Sequence, residues 1–285
     1  MNASTALTRK MALLMAVALL FVTTTAPAQP AAGAAAEHMQ AIADTRLHVL
    51  DSTIVERPFK ILVKLPADYA EKSAATYPVV YLLDGGAIFP MLAAYYRYLR
   101  FEEAVPDLIV VGLSYGSDSF EQGNYRSTDY TAPSAERDYW GGAADFLRVL
   151  ETEVFPLVEG GYRADPGRRI LFGQSIGGQF VLFAALNKPD LFSGLIASNP
   201  ALHRNLDYFL NFEPAPGKHA TRLFVASGSE DAARFREPAL AWMDKWRAAE
   251  EAPWDLWAIT IDGYGHFSIA PESFRLGLRW ILDGG

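Results

Sequence analysis

Arg169-Ile170-Leu171-Phe172-Gly173-Gln174-Ser175-Ile176-Gly177-Gly178-Gln179-Phe180-Val181-Leu182-Phe183-Ala184-Ala185-Leu186 reads as a short apolar strand, a turn bounded by glycines and an apolar helix. Within it, Gly173-Gln174-Ser175-Ile176-Gly177 has the G-x-S-x-G spacing of a strand–elbow–helix. So sharp a turn leaves no room for a Cβ on its flanks, which explains the glycines. Ser175 is left at the tip, at a helix N-terminus whose N–H groups and dipole favour developing negative charge. A serine so placed is poised to attack a carbonyl carbon. The alternative is a glycine-rich turn without chemistry, so the rest of the chain must supply the partners.

Such a serine needs a base and an orienting acid, which on a sheet of this type follow in the order Ser, acid, His. His38 and His48 precede Ser175, and His203 and His219 follow too closely to leave room for a strand and an acid. His266 remains, in Asp262-Gly263-Tyr264-Gly265-His266-Phe267 directly after the apolar run Leu256–Ile261. A neutral imidazole on that loop can accept the serine proton and return it to the leaving group. Between them, Thr221–Gly228 reads as a strand with Ser229-Glu230-Asp231 at its end. Asp231 is the expected acid, because Gly228 lets the chain turn before the carboxylate is presented; Glu230 is the alternative. For the oxyanion hole, one donor is the N–H of Ile176. The second is expected from Asp84-Gly85-Gly86 after the run Tyr77–Leu83, at Gly86, with Gly85 or Ala87 as alternatives.

Around these motifs the chain alternates. Arg46–Val55 and Phe59–Leu65 read as an antiparallel pair. Val79–Leu83, Leu108–Leu113, Ile170–Phe172, Leu195–Ala197, Leu223–Ala226 and Leu256–Ile261 are short, continuously apolar runs, the pattern of strands buried on both faces. Helix-like segments follow them at Phe89–Arg100, Tyr139–Val158, Gly178–Leu186, Phe235–Ala249 and Pro271–Leu282. This order predicts an α/β domain with a mostly parallel sheet and helices on both faces. Ligands then bind at the carboxyl ends of the strands, where Gly86, Ser175, Asp231 and His266 all fall.

At these positions the chain resembles a known family. Tyr77-Pro78-Val79-Val80-Tyr81-Leu82-Leu83-Asp84-Gly85, Arg168 to Gly178, and Gly265-His266 followed by Leu276-Gly277-Leu278-Arg279-Trp280 are similar to the putative-esterase branch of the α/β-hydrolases. Within that branch they look most like the enterobactin and salmochelin trilactone esterases. The resemblance spans about residues 45–283. It implies an α/β-hydrolase fold and ester hydrolysis through an acyl-enzyme. Some trilactone esterases are similar in having a weak or displaced acid, which leaves a Ser–His dyad open.

Composition sets the setting. Arg9 and Lys10, the apolar run Met11–Val22 and Ala26-Pro27-Ala28 have the order of a secretory signal with an A-x-A cleavage site. The run is short for a membrane span, which needs about 20 residues. The expected organisation is a signal peptide (1–28), a flexible Ala/Pro/Gly-rich leader (29–44) and one catalytic domain (45–283), periplasmic or secreted, with no stable membrane insertion after cleavage. Lys and Arg total 25 against 33 Asp and Glu, a net charge of −8, which argues against nucleic-acid partners. There is no cysteine, so an exported chain would hold no disulfide, and neither a metal nor a cofactor is expected. The polar stretches Gly116–Arg137 and Asn199–Ala220 read as loops bordering the cleft. Arg126, or Arg204, is a candidate to bind an acidic or catecholate-like substrate, unless Arg126 pairs with Asp129. The expected activity is that of a serine esterase on a small-molecule ester. An acyltransferase on the same machinery and a non-catalytic binding module are the alternatives. The motifs specify a reaction and not its acyl group, its alcohol or an oligomeric state.

Overall fold

Runs of six buried residues at Tyr77–Leu82 and Ile109–Ser114 lie at the centre of an eight-stranded sheet. The computed structural model describes residues 42–102, 105–214 and 217–283. The signal-like segment and residues 29–41 of the leader lie outside them. Residues 42–44 form a turn tied to the sheet, through Thr45 Oγ1 to the Ile42 carbonyl and Lys64 Nζ to the Ala43 carbonyl.

The strands are β1 (Thr45–Asp51), β2 (Pro58–Lys64), β3 (Tyr77–Leu82), β4 (Ile109–Ser114), β5 (Ala164–Gln174), β6 (Gly194–Ser198), β7 (Arg222–Gly228) and β8 (Asp255–Ile261). Their order is β1-β2-β4-β3-β5-β6-β7-β8. The pairs β1–β2 and β2–β4 are antiparallel; β4-β3-β5-β6-β7-β8 is parallel throughout. From β3 the chain passes to β4 on one side and later to β5 on the other. Strand order therefore reverses between β3 and β5, and a crevice opens there at the strand ends.

The helices are α1 (Ile88–Glu102), α2 (Arg126–Asp129), α3 (Ala143–Val149), α4 (Phe155–Gly161), α5 (Ile176–Asn187), α6 (Leu206–Asn211), α7 (Ala233–Ala248) and α8 (Ala270–Leu282). One face of the sheet packs on α1 and α8 through Leu92, Phe274 and Leu278. The other packs on α3 to α7 through Phe146, Phe155, Phe180, Phe209 and Trp242. Helix α5 is buried all round, from Gly177 to Leu186, which is why its sequence lacks a polar face. The ring of Phe146, fully buried, lies 5.7, 5.2 and 5.1 Å from those of Phe59, Tyr130 and Phe180. Phe146→Ala is expected to lower unfolding stability by about 3–5 kcal/mol, because the cavity it leaves cannot close. A denaturant midpoint that falls at unchanged slope checks this.

Several elements differ from the sequence reading: the stretches Gly116–Arg137 and Asn199–Ala220, read as loops, hold the short helices α2 and α6. The single helix expected over Tyr139–Val158 begins at Ala143 and is interrupted by a π-turn at Leu150–Val154 before α4 resumes. Pro156 has no N–H for the fourth residue before it, and the widened turn accommodates that loss. Strand β8 is half-exposed rather than buried on both faces, because it is the edge of the sheet.

Candidate active site

The elbow puts Ser175 at φ 60°, ψ −117°, a conformation that a non-glycine residue adopts only when its surroundings impose it. A Cβ on Gly173 would stand 2.2 Å from the Gly177 carbonyl oxygen, so only glycine fits there. The Ser175 N–H donates to the Ser198 carbonyl and the Ser175 carbonyl accepts from the Ala201 N–H, each at 3.0 Å. The end of β6 thus holds the turn from the side.

The structure brings Ser175, His266 and Asp231 together from the ends of β5, β8 and β7. The Ser175 Oγ lies 2.9 Å from His266 Nε2, and His266 Nδ1 lies 2.8 Å from Asp231 Oδ2. A carboxylate can only accept, so it selects the tautomer with the proton on Nδ1 and leaves the Nε2 lone pair facing the serine hydroxyl. The Asp231 side chain is 1 % exposed and that of His266 12 %. Phe235 stacks on the imidazole at 4.3 Å, and Phe267 meets it edge-on at 5.1 Å. Glu230 is exposed on the wall of the cleft, with no hydrogen bond to His266; its backbone N–H donates to the Tyr264 carbonyl at 3.0 Å. Of the adjacent acids, only Asp231 reaches the ring.

The three backbone candidates after β3 are also separated. The Gly85 N–H donates to Leu113 O at 2.6 Å and the Ala87 N–H to Asp84 O at 3.0 Å. No hydrogen bond to a described residue engages the Gly86 N–H, and Gly86 is exposed on the cleft. A Cβ on Gly85 would fall 2.7 Å from the Gly112 carbonyl carbon, so this glycine serves close packing on β4. The Ile176 N–H opens α5 and has no partner in its own helix. Among the described residues, two N–H groups without a partner therefore line the cleft that holds Ser175, that of Ile176 next to it in the chain and that of Gly86, the kind of donors that stabilisation of a tetrahedral oxyanion uses.

Arg126 lines the same cleft, but its Nε and Nη2 hold Asp84 Oδ1 and Oδ2 at 2.7 and 2.8 Å. The pairing read from sequence, with Asp129, is replaced by one with Asp84; Asp129 is taken by Arg57 and by the Tyr115 hydroxyl. Burial opposes the Arg126 charge, but Asp84 more than offsets it and raises its pKa. Asp84 sits at φ 54°, and this bidentate pair helps hold the strained turn that presents Gly86.

The cleft has a volume of about 920 Å³. Tyr139, Trp140, Phe235 and Phe267 line it together with Arg204 and Arg234, whose guanidinium carbons lie 5.1 Å from the Trp140 ring and 4.6 Å from the Phe235 ring. His203 is also on the wall, edge-on to Phe235 at 4.9 Å. Burial, with Arg204 and Arg234 nearby, lowers its pKa, so its Nε2 accepts from Arg204 Nε at 3.1 Å. Among the described residues no group of three His, Cys, Asp or Glu could hold a metal ion, and no helix is long and apolar enough to cross a membrane. Sequence reading missed Gln174, Asn199 and Phe235. Asn199 showed in the sequence only as the first residue past an apolar run; that this strand lies between the ones ending at Ser175 and Asp231 is a fact of the fold.

Comparison with known proteins identifies the family. The family model described as putative esterase matches residues 52–260, a span that contains Ser175 and Asp231 and stops short of His266. The ferri-bacillibactin esterase BesA of Bacillus subtilis is 28 % identical over 268 residues, covering 85 % of this chain and 90 % of that protein. The apo-salmochelin esterase of Escherichia coli is 32 % identical over 171 residues, covering 56 % of this chain and 52 % of its own length. Among solved structures, the enterobactin and salmochelin hydrolase IroE superposes with a TM-score of 0.61 at 27 % identity, covering 83 % of this chain and 94 % of that one. With the elbow, the parallel sheet and the family match in agreement, the chain belongs to the putative-esterase family of ester hydrolases, on the α/β-hydrolase fold.

Proposed function

We propose that this protein is an exported serine hydrolase that opens the ester bonds of a siderophore-type trilactone through an acyl-enzyme. The observation that carries the catalytic half is the relay of Ser175 Oγ, His266 and Asp231 in a cleft lined by two N–H groups without a partner among the described residues. Ser175 Oγ attacks the ester carbon as its proton passes to His266 Nε2. Asp231 stabilises the imidazolium, and the Gly86 and Ile176 N–H groups receive the oxyanion. The imidazolium protonates the departing alcohol, and a water activated by the same base releases the acid. Each oxyanion donor is expected to contribute about 3–4 kcal/mol in the transition state.

The substrate half rests on the cleft wall. Aryl rings can lie against Tyr139, Trp140 and Phe235, while Arg204 and Arg234 meet negative charge. Arg126 is proposed to contribute the edge not turned to Asp84. The relatives named for bacillibactin, salmochelin and enterobactin support a ligand of this kind. Residues 45–283 are proposed as the catalytic domain, with residues 1–28 as a signal removed on export.

The test compares a catechol trilactone with aryl acetates of similar intrinsic reactivity. The trilactone is expected to show the higher kcat/KM, with stepwise release of linear trimer, dimer and monomer. Equal or lower kcat/KM on the trilactone overturns the substrate assignment. Product partition in added alcohol separates hydrolysis from acyl transfer. N-terminal sequencing of exported protein should find a mature start near Gln29; an intact Met1 on a membrane-bound form overturns the cleaved-signal reading.

A further inference from the structure

The catalytic groups come from three strand ends, β5, β7 and β8, yet a fourth, that of β6, touches all three. Its backbone fixes Ser175 through Ser198 and Ala201, as described above. Asn199 is 2 % exposed and its side chain bonds in two directions. Its Oδ1 accepts from the Gly228 N–H at 2.8 Å, at the turn that leads to Asp231. Its Nδ2 donates to the Gly265 and His266 carbonyls at 3.2 and 3.3 Å. Gln174, next to the nucleophile, donates to the same His266 carbonyl. The backbone N–H of Asn199 is held by Ala226 O at 2.8 Å, and its φ of 40° lies in the left-handed region that Asn tolerates better than most residues.

We propose that Asn199 is a positioning residue that sets His266 against both Ser175 and Asp231. This rests on the serine-hydrolase reading above. The chemistry of the amide decides the case. The group facing Gly228 is an N–H and must meet an acceptor; the two facing the His266 loop are carbonyls and must meet a donor. A side-chain amide supplies both ends at this length whatever the pH, and its orientation follows from its partners. The loop carrying His266 runs from Asp262 to Ile269, and it is stitched to the acid turn by Glu230 N–H to Tyr264 O and Ser229 N–H to Ile261 O. Those bonds join β7 to β8 only. Asn199 and Gln174 are the side chains that tie the His266 residue itself back to the nucleophile side. Released from them, the imidazole can drift along the strand ends, and a displacement of about 1 Å costs about 10²-fold in rate.

The decisive variant is Asn199→Asp. It keeps the acceptor for Gly228; ionised, at the alkaline end of the pH profile, it turns an anionic oxygen towards two carbonyls and breaks the His266 side alone, whereas protonated, as burial favours, it still donates to them. Asn199→Ala removes both links. Active sites are titrated with an organophosphate, and kcat and KM are measured for an aryl acetate on the folded fraction. The low-field proton resonance of His266 Nδ1–H is recorded alongside. At alkaline pH Asn199→Asp is expected to lose about 10²-fold in kcat with KM within about twofold, and to broaden or lose the low-field signal. Phe192→Leu, a buried residue just before β6 at the opposite end of the strands, supplies the control: at a matched drop in Tm it should keep kcat. If Asn199→Asp at alkaline pH and Asn199→Ala both retain kcat and the low-field signal while Ser175→Ala is inactive, this inference fails and the catalytic reading stands. If Ser175→Ala stays active, the catalytic reading fails first.

Discussion

Ser175→Ala lowers kcat/KM for an aryl acetate by about 10⁴-fold or more, and its melting temperature stays within about 2 °C of the unmodified protein. The loss is large because Ser175 Oγ is the group that would form the covalent bond, with His266 Nε2 at 2.9 Å its side-chain partner among the described residues. The structural effect is small because the elbow is held by its backbone. Ser175 N–H and carbonyl are both bonded to the end of β6, and the glycine at 173 leaves room for the Gly177 carbonyl, whereas a Cβ at 177 would find ordinary contact distances. Removing one half-exposed hydroxyl touches none of that. Steady-state kinetics on an aryl acetate, with a thermal melt on the same preparation, check both parts. Retention of more than a few per cent of kcat in a cleanly purified variant overturns the nucleophile.

Asp231→Asn is expected to reduce kcat by about 10⁴-fold, while Glu230→Gln stays within about twofold. The two carboxylates are adjacent in sequence and differ in what they face. Asp231 is buried, with Oδ2 on His266 Nδ1 at 2.8 Å; Glu230 is exposed. An Asn at 231 can turn its NH₂ to Nδ1 and select the tautomer that places a proton on Nε2. That proton would face the serine oxygen where a lone pair is needed. A charge in water four bonds from the same backbone has no such hold on the ring. The ratio of kcat values for the two variants is the measurement. A reversed ranking transfers the role to Glu230, and near-full activity in both points to a Ser–His dyad.

Much of this was legible before any coordinates. An apolar run, a glycine-bounded serine and a second apolar run admit few arrangements, because a Cβ at Gly173 would collide with the Gly177 carbonyl. Continuous apolar strands alternating with helices leave a parallel sheet as the way to bury both faces, and a parallel sheet gathers its strand ends at one edge. The order Ser175, Asp231, His266 along the chain then sufficed to nominate the three residues. Those features are local, or depend only on order, so one dimension carries them.

What the sequence could not order was competition among partners distant in the chain. Arg126 had Asp129 close by and took Asp84 instead, because Arg57 reaches Asp129 across the fold. Gly85, Gly86 and Ala87 are equivalent as letters; the close approach of β4 takes the first N–H and the turn itself takes the third. Asn199 looked like the start of a loop, and its role appears only when β6 is seated between β5 and β7. In each case the outcome turns on which buried donor or acceptor can be satisfied by whom. That is settled by three-dimensional proximity, since a polar group left unpaired in the interior costs about 1–3 kcal/mol and the packed chain selects the arrangement that avoids it.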